Sequence, residues 1–198
     1  GEFYNTRVIS LAGPQAKKPR LVKTIIGASV AELTEGEIVA SSQGVHVISG
    51  TVLWGNTAVG PYAYLGRYHQ GVALLEEGTK NEFFLKNWMG LGIHRHSATR
   101  AFLANFIHPS TYTFNTALNG GPRSIMPIGC YEKVLAPYGV EATMLVRAID
   151  INDTDQAKLL GILEFSEEDI ALATYVCPGK NDFGPLLRRS LTKIEVEG

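Results

Sequence analysis

The sequence predicts an all-β to α+β fold, a β-sandwich or β-barrel of short strands with two or three helical insertions. Three observations lead there. β-branched and aliphatic runs are short, in a chain punctuated throughout by Gly and Pro. The 21 Gly and 9 Pro are spread through all 198 residues, without a long linker, repeat or low-complexity stretch. Segments with helical spacing are few, so strands do not alternate with long helices as in a doubly wound sheet.

Taken in order, Arg7–Ala12 reads as a strand stopped by Gly13-Pro14. Lys17, Lys18, Arg20 and Lys23 then form the basic cluster of the chain, around Pro19. Lys and Pro suit an edge strand because they discourage pairing with another sheet. Glu37–Ala40 and Val45–Ile48 flank Ser41-Ser42-Gln43-Gly44 and read as a hairpin, its second strand running through Gly50 to Trp54. Tyr62, Tyr64 and Tyr68 are evenly spaced and would share a strand face. Ser97–Ile107 reads as a helix capped by Ser97 and ended at His108-Pro109, with a strand at Thr111–Phe114 and a turn at Asn119-Gly120-Gly121-Pro122. Ala142–Ile151, rich in Val, Ile, Leu and Met, reads as a central strand, and Leu191–Val196 as a closing one. Between them Ser166-Glu167-Glu168-Asp169 opens a helix to about Val176, where Pro178-Gly179 stops it.

Composition bounds the function. Hydrophobic residues make up 45% and charged residues 19%, which excludes a disordered chain. Eighteen Lys and Arg against 19 Asp and Glu leave a net charge of −1, which excludes a generally basic nucleic-acid coat. Nucleic acid is expected only through a local patch at Lys17, Lys18, Arg20 and Lys23. Two cysteines exclude a disulfide scaffold. One domain over residues 1–198 is expected, with room for an extended N-terminal arm over about residues 1–24. No run of 18 apolar residues and no signal-peptide profile occur, so no membrane partner is expected.

The search for chemistry returns fragments. His94 and His96 would share a face on a strand and could reach one metal, but no acid follows before Glu132 and Arg95 and Arg100 add positive charge. His108 suits a helix C-terminus. Cys130 and Cys177 lie 47 positions apart without a CxxC and read as free buried thiols. Asp150-Ile151-Asn152-Asp153-Thr154-Asp155 begins like a calcium loop but has Asp155 and Gly161 where Gly and Glu are required. Glu76-Glu77 and Glu167-Glu168 read as solvated faces. No Walker loop, dinucleotide fingerprint or nucleophile elbow is present. No catalytic, cofactor-binding or metal residue is therefore assigned, and no cofactor is expected.

Without a coherent catalytic set, the reading favours a non-catalytic structural or assembly subunit. The expected setting is a self-associating capsid, decoration or tail component of a virus or phage, found in the virion or the cytoplasm of the producing cell. Its partners would be copies of itself or other particle subunits. The alternative is a small β-barrel metal-dependent enzyme or ligand binder using His94 and His96, with Trp88, Tyr62, Tyr64 and Tyr68 lining a pocket.

Overall fold

In a computed structural model, residues 1, 3–39, 44–78, 92–93, 96, 98, 102–117 and 124–197 are described. They divide into two compact units. The first is formed by Gly1–Asn81 with Thr113–Ala117, the second by Glu82–Tyr112 with Leu118–Gly198.

The first unit is a sheet with a helix on one face. Its strands are β1 (Thr6–Ala12), β2 (Arg20–Ile25), β3 (Val45–Ser49), β4 (Asn56–Thr57) and β5 (Gly71–Glu76). Their order is β2-β1-β5-β3-β4. β5 runs parallel to β1 and antiparallel to β3; the β1–β2 and β3–β4 pairs are antiparallel. Alternation along β1 and β5 sends Ile9, Leu11, Val72 and Leu74 to one face, where they pack with Val30 of helix α1 (Val30–Thr34) and with Leu65. Ser29 starts α1, its hydroxyl accepting from the Glu32 N–H. Gly13, at φ +118°, lets the turn after β1 lie against the Leu74 backbone, where any Cβ would overlap main chain. The Gln15 N–H then donates to the Leu74 carbonyl at 3.2 Å.

The second unit is helical: α2 (Ala104–Ile107), α3 (Cys130–Leu135), α4 (Ala142–Ile151), α5 (Thr154–Leu159), α6 (Glu167–Val176) and α7 (Phe183–Glu197). Its core joins Tyr131 and Leu135 of α3, Leu145 and Ile149 of α4, Ile170 of α6 and Leu187 of α7. The Tyr131 and Phe183 rings meet edge to face at 5.8 Å. The Asp153 carboxylate caps α5, accepting from the Gln156 N–H at 3.0 Å. The Asp169 carboxylate closes the start of α6 by accepting from both the N–H and the hydroxyl of Ser166.

The fold is therefore α+β, while the sandwich or barrel is corrected: the described strands make one open sheet edged by β2 and β4. Three strand assignments are also corrected. Ala142–Ile151 is α4, because its buried Ala142, Leu145, Val146 and Ile149 follow the spacing of one helix face. Leu191–Val196 belongs to α7, whose Pro185 sits in the first turn, where its missing N–H costs no helical bond. Thr111–Phe114 is not a strand. The expected 37–48 hairpin does not form. Ile38 bridges Ala16 instead, and β3 pairs with β5 and β4. β3 ends at Ser49, because Gly50 turns the chain at φ +110°. Residues 41–43, Ser97 and the 119–122 turn lie outside the described residues.

Candidate functional site

In the first unit, β3 and β5 hold a chain of hydrogen-bonded polar groups. His46 Nδ1 meets Glu77 Oε1 at 2.7 Å, and Thr57 Oγ1 of β4 meets His46 Nε2 at 3.1 Å. The other Glu77 oxygen accepts from the Thr116 hydroxyl at 2.6 Å, and the same hydroxyl accepts from the Gly78 N–H at 2.9 Å. Thr116 and His46 together hold the Glu77 carboxyl below its usual range, Thr116 contributing more. Glu77 is thus not merely a solvated acid. It ties residues 113–117 to the end of β5, where Asn115 bridges Glu76 and the Thr116 N–H donates to the Glu76 carbonyl.

A second cluster shapes the loop between β3 and β5. The buried Ser49 hydroxyl accepts from the Gly66 N–H at 3.1 Å and pairs with His69 Nδ1 at 2.8 Å. The Trp54 ring stands edge-on to the His69 ring, centroids 5.7 Å apart. Gly66 has to be glycine here, since a Cβ would overlap the His69 ring. Tyr62, Tyr64 and Tyr68 do not share a strand: Tyr62 ends a 3-10 turn (Gly60–Tyr62) and Tyr64 bridges Ser29. All three are exposed.

In the second unit, His96 Nδ1 lies 2.6 Å from the Tyr175 hydroxyl, with the two rings stacked at 5.8 Å and Tyr112 edge-on to His96 at 5.4 Å. Lys180 Nζ donates to the Tyr175 carbonyl at 2.8 Å. Burial lowers the Lys180 pKa and raises that of Tyr175. Cys130 and Cys177 are free and buried. The Tyr131 hydroxyl donates to Cys177 Sγ at 3.2 Å, and burial pushes the Cys130 thiol up.

Of the residues singled out from sequence, His94 and Trp88 lie outside the described residues, and no group of three possible metal ligands occurs among the described ones. The Lys17–Lys23 cluster lies on the surface, where Arg20 forms a two-point ion pair with Glu37 and Lys17 donates to the Gly36 carbonyl. His108 caps the end of α2 at φ +50°. Asp153 of the acidic run is a helix cap. Glu167 pairs with Arg188 of α7. The His46–Glu77–Thr116 chain escaped the sequence because its members are 31 and 39 positions apart.

A family model described as the NQRA C-terminal domain (NQRA_SLBB) matches residues 8–60. Over all 198 residues the chain is 50% identical to the A-subunit of the Na(+)-translocating NADH-quinone reductase of Histophilus somni, to that of Vibrio alginolyticus and to that of Pasteurella multocida. This chain is similar to those proteins. It spans 43% of their length. The expectation of a capsid, decoration or tail protein of a virus or phage is thereby overturned. Lack of a recognised catalytic motif does not by itself point to a particle protein, as the similarity to reductase subunits shows. Other subunits as partners remain consistent with the comparison; self-association and nucleic-acid binding have no support in it.

Proposed function

We propose that this chain works as part of the A-subunit of a Na(+)-translocating NADH-quinone reductase, and that its own contribution is assembly of the complex. The observation that carries the reading is the 50% identity, which runs through both compact units and not only the 8–60 stretch. The commitment of side chains supports the assembly role. His46, His69 and His96 are each engaged with a neighbouring side chain, His46 and His69 through networks that fix local structure.

The test replaces the matched segment of the Vibrio alginolyticus protein with these 198 residues. Assembly of the complex, NADH-driven quinone reduction and Na(+) transport are then measured. Retention of all three is expected. A chimera that folds yet fails to join the complex would overturn the reading. His46→Ala and His96→Ala in the chimera separate assembly from catalysis: activity per assembled complex is expected to stay within twofold. A tenfold loss with assembly intact would move the chain into the catalytic path.

A further inference from the structure

We infer that the outer face of the β1–β2 pair in the first unit rests on an anionic lipid surface, its aliphatic side chains entering the headgroup layer and its lysines meeting lipid phosphates. The inference rests on the reading of the chain as part of a Na(+)-translocating reductase, a kind of complex that works across a membrane, and deepens it.

The strand register makes this face one patch. Val8 lies opposite Lys23, Ser10 opposite Leu21 and Thr6 opposite Ile25. Opposite residues put their side chains on the same side of a sheet, about 5 Å apart. Ile9 and Val22, also opposite each other, take the reverse side and join the core with Leu11. On the outer side Val8 is 60%, Leu21 72% and Ile25 51% exposed, at the β2 edge of the sheet. Three aliphatic side chains thus flank one exposed lysine, Leu21 and Ile25 along β2 and Val8 across from it.

Charge decides the occupant. Between Glu2 and Glu32 the sequence holds five cations, Arg7, Lys17, Lys18, Arg20 and Lys23, and no Asp or Glu. Glu37 engages Arg20, and Lys17 donates to the Gly36 carbonyl. Neither Lys18 nor Lys23 has a side-chain hydrogen bond or ion pair among the described residues. Lys23 is the discriminating residue. A protein surface, from the rest of the subunit or from another one, would have to bury that ammonium at the centre of an apolar contact. Lys is depleted at such centres, because its lost hydration has to be matched by a well-placed partner. Lys18-Pro19 and Lys23 also oppose the addition of a strand at this edge. A lipid surface asks for the opposite pattern: the methylene stem lies along the acyl boundary beside its aliphatic neighbours, while the ammonium reaches a phosphate. Each Lys or Arg near an anionic membrane strengthens binding about fivefold. The expectation of no membrane partner came from the lack of a spanning run, and lying on a surface needs none.

The experiment uses the full-length chimeric A-subunit described above. Its co-sedimentation is measured with vesicles of phosphatidylcholine alone and of equal parts phosphatidylcholine and phosphatidylglycerol. Binding is expected to the anionic vesicles only, and to weaken with added salt. Lys18→Glu combined with Lys23→Glu, and Leu21→Ser combined with Ile25→Ser, should each lower it at least tenfold. All four side chains are exposed, and circular dichroism checks folding. Equal binding to both vesicles, binding to neither, or unchanged binding by either folded variant would overturn the inference. Slow labelling of Lys23 by an amine-reactive ester in the folded subunit without lipid would show the face covered by the rest of the subunit, and would overturn it too. So would loss of the lysine variant from the purified complex with vesicle binding retained, which would assign the face to another subunit. These outcomes leave the functional reading standing; that reading falls if the parent chimera fails to join the complex.

Discussion

Thr116→Val is the most informative single change in the first unit. Valine keeps the shape and removes the oxygen, so no cavity confuses the result. The lost oxygen accepts from the half-buried Gly78 N–H and donates to Glu77. A buried N–H stripped of its acceptor costs about 1–3 kcal/mol, and the partial exposure of Gly78 puts it near the low end, about 1 kcal/mol. A hydrogen bond to a carboxylate contributes about 1.5–3 kcal/mol when shielded. The Glu77 side chain is 36% exposed, so water replaces part of that, leaving about 1 kcal/mol. Together the change should cost roughly 2 kcal/mol, on the order of a thirtyfold rise in local opening. Amide hydrogen exchange at Gly78 and Thr116 reads it directly. The same clasp carries a pH dependence. The Glu77 carboxyl is held below its usual range, so its contribution is complete above the unfolded value of about 4.3 and fades as pH falls through the lower folded value. Thr116→Val should flatten that acid limb. A rise in exchange under threefold, or an unchanged acid limb, would refute the clasp.

Other changes read the two cores and the caps. Leu74→Ala removes fully buried carbon from the central strand and should cost about 3 kcal/mol in urea unfolding; a cost under about 1 kcal/mol would contradict the packing. Cys130 and Cys177 should resist iodoacetamide in the native protein and both react in guanidinium, read by mass; prompt native labelling would place a thiol at the surface. Tyr131→Phe should cost about 1 kcal/mol through its lost bond to Cys177, measured by thermal melting. Asp153→Ala should cost about 1 kcal/mol by uncapping α5, and an unchanged melt would refute the cap.

What the sequence revealed depended on the kind of signal. Strand β1 and the start of α6 were legible, because Gly13-Pro14 and Ser166 with its acids are local signals. Residues 142–151 misled because their Val, Ile and Met content suggested a strand, while the spacing of Ala142, Leu145, Val146 and Ile149 already spelled a helix. Leu191–Val196 misleads similarly, because it lies in the second half of a helix whose buried positions begin at Phe183. The candidate site was illegible for a different reason. His46, Glu77 and Thr116 meet only once β3, β5 and the returning segment are paired, and nothing local announces that pairing. Tyr62, Tyr64 and Tyr68 have the spacing of one strand face, but the 3-10 turn at Gly60–Tyr62 breaks that alternation.

The return of residues 113–117 to the first unit has a kinetic side. The Glu77–Thr116 contact spans 39 positions, so closing that loop costs roughly 3 kcal/mol of chain entropy before any bond compensates. During synthesis at about 5–20 residues per second, the end of β5 waits roughly two to eight seconds for its last neighbour. For that interval the carbonyl of Glu76 and the N–H of Gly78 have no partner from the 113–117 segment. The nascent sheet is therefore most open to wrong pairing just when its other strands are already in place.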